Sequence, residues 1–167
     1  ASLVKAFRAL KTEDDIAGLV TAGSTGATIA AGQLILGRIR GVKRPALCPA
    51  IPNIRGGYTL LCDCGANAEC KPSMLCQFAV LASAYATAGF GIKNPKVGLL
   101  NNGTEEHKGD PLHQQTYQLL NKMDVINFGG NIEGRDIMLG DCDVAVSDGF
   151  SGNIALKSIE GCGKLIL

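Results

Sequence analysis

Tryptophan is absent from this sequence of 167 residues, and Phe, Trp and Tyr together make up only 5% of it. Proteins that bind single-stranded nucleic acid stack bases on aromatic side chains and hold the backbone in a positively charged groove. Here aromatic side chains are scarce and the formal net charge is only +1. The composition therefore argues against a nucleic-acid partner.

Acidic residues are missing from a long stretch, because no Asp or Glu occurs between Ile16 and Cys62. Within that stretch, the glycine-rich residues 23–26 lack the G-x-G-x-x-G fingerprint of a dinucleotide-binding loop. They also lack the acidic residue expected about 20 residues further on. Both absences speak against one alternative function, that of an NAD(P)- and metal-dependent dehydrogenase.

The seven cysteines have neither the pairing of a disulfide framework nor the spacing of a metal site. An odd number of cysteines in apolar runs is typical of reduced thiols in a cytosol. Cys62, Cys64 and Cys70 lie close together in sequence, but they form no C-x₂-C knuckle and have no paired His. We therefore expect no metal and no cofactor, and a reactive cysteine that carries an acyl group is the alternative. The first residues show no secretory signal pattern.

Short apolar runs alternate with helical patterns, which predicts an α/β fold with a mostly parallel sheet between helices. The uncharged residues 72–92 predict a buried helix, with a membrane span as the alternative. Residues 41–57 contain three prolines and predict a loop or an extended arm. The predicted strands are residues 17–22, 59–63, 96–101, 125–128 and 144–147. The predicted helices are residues 2–10, 25–39, 72–88, 111–123 and 151–167.

Four predicted strands run into loops of glycine and small polar residues. Because the carboxyl ends of parallel strands share one edge of a sheet, we expect these loops to form a crevice there. Backbone N–H groups at helix N-termini suit such a crevice to an oxyanion such as phosphate. Helix caps and ordinary turns are the alternative explanation. The candidate phosphate-binding residues are Gly23, Ser24, Thr25, Gly26, Asn67 and Asn101.

Three further residues are candidates for catalysis. Lys108 is placed to neutralise phosphate or a developing oxyanion, and Asn153, in the opening turn of a predicted helix, is placed to donate a hydrogen bond to that oxyanion. Asp148 ends a predicted strand and is expected to orient Lys108 or Asn153. A charged surface loop and a helix cap are the alternatives. His107 is either a general base or a surface histidine.

A cluster of basic residues lies within the acid-free stretch. It comprises Arg38, Arg40, Lys43 and Arg44. Such a cluster is either a solvated surface or a docking patch for an acidic partner.

Several segments together resemble the PlsX-type phosphate acyltransferases, and they occur in that family's order along nearly the whole chain. These are LGRI (36–39) with RPAL (44–47), GANA (65–68) with KP (71–72), VGLLN (97–101), NF (127–128), GNIEGRD (130–136) and DGFSGN (148–153). The resemblance implies a doubly wound three-layer αβα fold, related to isocitrate and isopropylmalate dehydrogenases and to phosphotransacetylases. It implies transfer of an acyl group from acyl carrier protein to inorganic phosphate.

The resemblance also implies a homodimer in the cytoplasm, with peripheral contact at the inner face of the cell membrane through segments outside this sequence. The family's chains are about twice as long, so we expect residues 1–167 to be a single α/β domain that is incomplete at both ends. A carrier-protein binding fragment without catalysis is therefore another alternative. Ser24 stands where the family usually has Asn, and Cys62 and Cys64 stand where it usually has aliphatic residues.

Overall fold

A computed structural model describes residues 2–166 of the chain. Contacts between Cα atoms divide the chain into two compact units, residues 1–45 and residues 46–167. Each unit is described by itself.

The first unit is helical. It contains α1 (Ser2–Thr12) and α2 (Thr25–Ala31), and α2 continues into a π-helical turn (Gly32–Leu36). The ring of Phe7 on α1 is buried and faces Gly32. Lys11 ties α1 to this turn, because its Nζ donates a hydrogen bond to the carbonyl oxygen of Ile35 at 2.6 Å.

The second unit is built on a five-stranded sheet with the strand order β1-β2-β5-β3-β4. The strands are β1 (Ala50–Pro52), β2 (Tyr58–Cys62), β3 (Lys96–Leu100), β4 (Asn127–Ile132) and β5 (Val144–Val146). Strand β1 pairs with β2 in antiparallel orientation, and the pairs β2–β5, β5–β3 and β3–β4 are parallel. The carboxyl ends of the four parallel strands therefore lie along one edge of the sheet.

The helices of this unit are α3 (Pro72–Phe90), α4 (Pro111–Leu120), α5 (Gly134–Leu139) and α6 (Gly149–Ile166). One core cluster joins Leu60, Leu99 and Val144 to residues of α3 and α4. A second cluster contains the neighbouring strand residues, such as Leu61 and Ala145, with residues of α5 and α6. Because adjacent residues of a strand point to opposite faces, the two clusters lie on the two sides of the sheet. The predicted αβα layering is confirmed.

Helix α3 is long and apolar enough to cross a membrane by length and composition. Its residues Leu75, Phe78 and Ala82 are buried in the first core cluster. This packing favours the prediction of a core helix.

The strand predicted at residues 17–22 is wrong, because the structure shows no strand there. An apolar run becomes a strand only when a neighbouring strand accepts its ladder hydrogen bonds.

The strand predicted at residues 125–128 is shifted, since β4 starts at Asn127 and runs through two glycines to Ile132. The register with β3 slips by one residue around these glycines, and Gly130 has a φ of 96°. A β-bulge commonly uses a glycine with positive φ, so the two adjacent glycines of β4 resemble a turn in the sequence.

Two short elements were not predicted. Strand β1 lies in the proline-containing segment predicted as a loop or arm, and its position at the edge of the sheet tolerates Pro52. Helix α5 begins with a capping box, in which the side chains of Glu133 and Asp136 each accept a hydrogen bond from the other residue's backbone N–H group. This acidic pair was the available sequence signal.

Candidate active site

A buried carboxylate organises the loop that follows β2. Asp63 is fully buried, and its two carboxylate oxygens accept hydrogen bonds from the backbone N–H groups of Leu47, Gly65, Ala66 and Asn67 at 2.7–3.2 Å. The side-chain amide of Asn67 donates a further bond at 2.8 Å. Residues 63–67, called here the 63–67 loop, are therefore folded around the carboxylate of Asp63.

Two glycines bring the start of α6 into direct contact with this loop. Gly149 donates its backbone N–H to the carbonyl oxygen of Asn67 at 2.8 Å. A Cβ atom on Gly149 would lie 2.5 Å from that oxygen, and one on Gly152 would lie 2.0 Å from the carbonyl oxygen of Asp63. Only glycine permits this approach of two backbones. Residues 148–153, called here the 148–153 turn, and the 63–67 loop thus form one surface.

Asp148 caps α6. Its Oδ1 accepts hydrogen bonds from the backbone N–H groups of Phe150 and Ser151, both at 2.9 Å. Its Oδ2 lies 3.9 Å from Nε2 of His113, whose Nδ1 lies 2.7 Å from Oδ1 of Asp110. Burial of Asp110 opposes ionisation, but hydrogen bonds from the backbone and ring of His113 outweigh burial and lower the pKa of Asp110. The carboxylate of Asp148 thus holds a helix N-terminus and faces a histidine.

The loop after β3, residues 101–110, is held by side-chain amides. Nδ2 of Asn101 donates to the carbonyl oxygen of Lys108 at 3.1 Å, and Nδ2 of Asn131 donates to that of Glu105 at 2.8 Å. Gln114 donates to the carbonyl oxygens of His107 and Gly109. This loop therefore has a defined shape at the same sheet edge.

A cavity of about 310 Å³ opens between this loop and α6. It is lined by Leu100, Asn101, Asn102, Gly109, Asp110, His113 and Ser151. A larger cavity of about 700 Å³ lies at the opposite edge, beside residues that precede β3 and β4. The smaller cavity is the better candidate site, because ligands of parallel α/β sheets bind at the carboxyl ends of the strands.

The structure places the predicted catalytic residues around this edge. Lys108 is half-exposed, and its Nζ lies 4.0 Å from Oε1 of Glu105. Asn153 is exposed on α6 beside Gly65, where a Cβ atom on Gly65 would lie 3.7 Å from Cγ of Asn153. Asn153 follows the first turn of α6, because the helix begins at Gly149. The roles of Lys108, Asn153 and Asp148 in catalysis remain predictions.

The remaining predicted residues belong to the first unit. Ser24 precedes α2 and makes no side-chain capping bond, although its carbonyl oxygen accepts from the backbone N–H and Oγ1 of Thr28. Gly23, Thr25 and Gly26 are exposed beside it. The basic residues Arg38, Arg40, Lys43 and Arg44 are also exposed. Their predicted roles in phosphate binding and carrier docking are proposals.

The sequence offers Asp63 and Asn67 either as groups that orient a substrate or as turn residues. The structure shows Asp63 in the role of a turn residue. Sequence reasoning missed His113 as the neighbour of Asp148. The sequence carried no signal for His113, because Asp148 lies 35 residues away and only folding brings them together. The exposure of His107 agrees with the interpretation of a surface histidine.

Solved structures share this architecture. A phosphotransacetylase from Staphylococcus aureus superposes with a TM-score of 0.64 at 23% identity, covering 86% of this chain and 49% of its own. A phosphotransacetylase from Streptococcus pyogenes superposes with a TM-score of 0.66 at 19% identity, covering 86% of this chain and 49% of its own. The chain is therefore an α/β protein with the phosphotransacetylase fold.

The sequence comparisons are more specific. A family model described as "Fatty acid synthesis protein" matches residues 1–167. A phosphate acyltransferase of Syntrophomonas wolfei is 50% identical over 166 residues, which cover 99% of this chain and 52% of that protein. A phosphate acyltransferase from Streptococcus pyogenes serotype M6 is 52% identical over 168 residues, which cover 100% of this chain and 50% of that protein. The chain belongs to the fatty acid synthesis protein family, and it spans about half the length of these relatives.

Proposed function

We propose that the protein containing this chain is a phosphate acyltransferase, which transfers an acyl group from acyl carrier protein to inorganic phosphate. Relatives about half identical over the whole chain are named phosphate acyltransferase. The observation that carries the proposal is the contact between the 63–67 loop and the 148–153 turn. This contact places the 63–67 loop and the start of α6 together at the carboxyl edge of the sheet, where ligands of parallel α/β sheets bind.

The proposed reaction is a displacement at a thioester. An oxygen of phosphate attacks the carbonyl carbon, and the resulting tetrahedral oxyanion collapses with loss of the carrier thiolate, which then takes up a proton. Phosphate is anionic at neutral pH, so the reaction depends mainly on positioning. Asn67 and Asn101 hold phosphate, while Lys108 and Asn153 stabilise the oxyanion. Asp148 positions the start of α6.

The partners follow from the charges and from the chemistry of the substrate. We propose that Arg38, Arg40, Lys43 and Arg44 dock acyl carrier protein as an acidic partner, because opposite surface charges speed and orient association. Within the first unit, Gly23, Ser24, Thr25 and Gly26 are separately proposed to bind phosphate. The protein is proposed to act as a cytoplasmic homodimer in peripheral contact with the membrane.

The decisive experiment uses the full-length protein and an acyl carrier protein loaded with a fatty acyl chain. Release of the carrier thiol is followed with a thiol reagent, with and without inorganic phosphate, and acyl phosphate is trapped with hydroxylamine. We expect thiol release that saturates with phosphate and equals the acyl phosphate formed. Thiol release independent of phosphate would refute the proposal. Carrier binding without thiol release would favour a binding protein, and a rise of the melting temperature with NAD would favour a dehydrogenase.

A further inference from the structure

Two cysteines face each other across the antiparallel pair of strands at the edge of the sheet. In the register of β1 and β2, Ala50 pairs with Leu60. Beyond β1, the N–H of Leu61 still donates to the carbonyl oxygen of Pro49 at 3.1 Å. The next position along this register brings Cys48 opposite Cys62. The two residues are therefore cross-strand neighbours although they lie 14 positions apart.

The geometry of this position suits a covalent link. The hydrogen bond between Leu61 and Pro49 makes that pair a hydrogen-bonded one, so Cys48 and Cys62 occupy a non-hydrogen-bonded pair. Cα atoms in such pairs lie about 4.5 Å apart, with side chains closer together than at hydrogen-bonded pairs. A disulfide accepts Cα separations of about 4.4–6.8 Å. The two sulfur atoms can thus be joined with little backbone movement.

The two thiols differ in pKa and in burial. Side-chain hydrogen bonding with Cys62 lowers the pKa of Cys48 against the opposing effects of burial and of the Asp63 charge. The same bond, together with burial, raises the pKa of Cys62. Cys48 is only partly buried, whereas Cys62 is 1% exposed. Cys48 is therefore suited to react first, because the thiolate is the nucleophile.

Other cysteines of the unit are less suited to this chemistry. Burial raises the pKa of Cys64 to about 12, that of Cys70 to about 11 and that of Cys142 to about 12. Asp63 and the thiols of Cys62 and Cys64 interact electrostatically with Cys48. The interaction with Cys62 is the largest of the effects on the pKa of Cys48, and it favours the thiolate.

We propose that Cys48 and Cys62 are a redox modification site, which a peroxide converts into a reversible intramolecular disulfide. The Cys48 thiolate attacks a peroxide oxygen and becomes a sulfenic acid, and the alkoxide or hydroxide that leaves takes up a proton to give an alcohol or water. The sulfur of Cys62 then attacks the sulfur of Cys48. The Cys62 proton combines with the departing hydroxide as water. Overall, two thiols lose two hydrogen atoms and one peroxide is reduced, and a dithiol reverses the change.

The position of this site gives it a link to the candidate active site. Cys62 directly precedes Asp63, and the N–H of Leu47, next to Cys48, donates to the Asp63 carboxylate at 3.0 Å. The disulfide would join the same two chain segments that this hydrogen bond joins.

The test uses the full-length protein treated with hydrogen peroxide, followed by alkylation of remaining thiols under denaturing conditions and peptide mapping without reduction. We expect one cross-linked peptide that contains Cys48 and Cys62 and disappears after treatment with a dithiol. Cys48→Ser should abolish it, whereas Cys162→Ser, which alters an exposed cysteine, should leave it unchanged. The proposal is overturned if both thiols remain free at a peroxide dose that fully oxidises Cys162, or if Cys48 is found linked to Cys64.

A second measurement does not depend on disulfide formation. Iodoacetamide should alkylate Cys48 several-fold more slowly in Cys62→Ala than in the unmodified protein near neutral pH, because the interaction with Cys62 that lowers the pKa of Cys48 is lost. The alkylation rate of Cys162 serves as the internal control. Equal Cys48 rates in the two proteins would show that Cys62 does not activate Cys48.

Discussion

His113 lies between two carboxylates, with Nδ1 at 2.7 Å from Asp110 and Nε2 at 3.9 Å from Asp148. Asp110 caps α4 and Asp148 caps α6, so one imidazole lies beside the first turns of two helices. This arrangement places the 101–110 loop next to the 148–153 turn. Both segments border the cavity in which we place the substrate.

The first prediction concerns pH. The pKa of Asp110 is lowered, so its stabilising effect is present above the pKa of an unfolded Asp and is lost as pH falls through the lower folded value. Asp110→Ala should cost about 1 kcal/mol of unfolding free energy at neutral pH through loss of the cap. The difference from the unmodified protein should shrink below a pH of about 4. Urea unfolding from pH 3 to pH 7 measures it, with exposed Asp124→Ala as the control. A difference that stays constant with pH would contradict this.

The second prediction concerns the buried carboxylate. Asp63→Asn places an amide where backbone N–H groups now donate, so the free energy of unfolding should fall by about 3 kcal/mol. Asp141→Asn removes an exposed ion pair with Arg55 and should cost less than about 1 kcal/mol. Denaturant unfolding of both variants measures the contrast. Similar losses in the two variants would mean that Asp63 does not organise its loop.

The third prediction concerns two glycines of the same helix. Gly152→Ala places Cβ against the carbonyl oxygen of Asp63 and should destabilise the fold by at least about 3 kcal/mol. Gly161→Ala meets no atom within 4 Å and should stabilise α6 by up to about 1 kcal/mol. Thermal unfolding of the two variants tests the pair. Equal melting temperatures would show that the close approach is not required.

The fourth prediction separates catalysis from helix capping at Asn153. Because Asp148 already caps α6, Asn153→Ala should change stability by less than about 0.5 kcal/mol. As an oxyanion donor, Asn153 acts mainly in the transition state, so this variant should lower kcat by about 10²–10³ with little change in KM. Asn153→Asp should be at least as harmful, because it puts a negative charge beside the oxyanion. Near-normal turnover of the Asp variant would rule out this role.

The fifth prediction concerns the basic residues of the first unit. Reversal of Arg38, Arg40 and Arg44 to Glu should weaken binding of the acidic carrier and flatten its dependence on salt, because exposed charges are screened. Reversal of Lys5 and Arg8 on α1 is the control, and it should leave carrier affinity nearly unchanged. Titrations by fluorescence anisotropy at low and high salt provide the measurement. Equal affinities for both sets of reversals would identify Arg38, Arg40 and Arg44 as an ordinary solvated surface.

Periodicity in the sequence was sufficient for the layered sheet, because α3 has a long apolar pattern that begins at a proline and the strands β2, β3 and β5 are short apolar runs. Periodicity was insufficient where the pairing between strands decides the structure. Residues 17–22 have the composition of a strand without a ladder partner, and β4 crosses Gly129 and Gly130 through a bulge. The same limit applies to the site. Asp63, Asn67 and Asp148 follow strands and were visible, whereas the contacts of His113 arise only from the arrangement of helices.

The contact of Gly149 and Gly152 with the 63–67 loop has a consequence for protein design. The backbones of the two segments are in direct contact. Neither segment can therefore be exchanged independently between related scaffolds. A chimera that takes the 148–153 turn from one parent and the 63–67 loop from another must match two main-chain shapes at distances where side chains cannot compensate. The unit that can be transferred to another scaffold is the 63–67 loop and the 148–153 turn together. It must include β2 and β5, because these strands set the separation of the two segments.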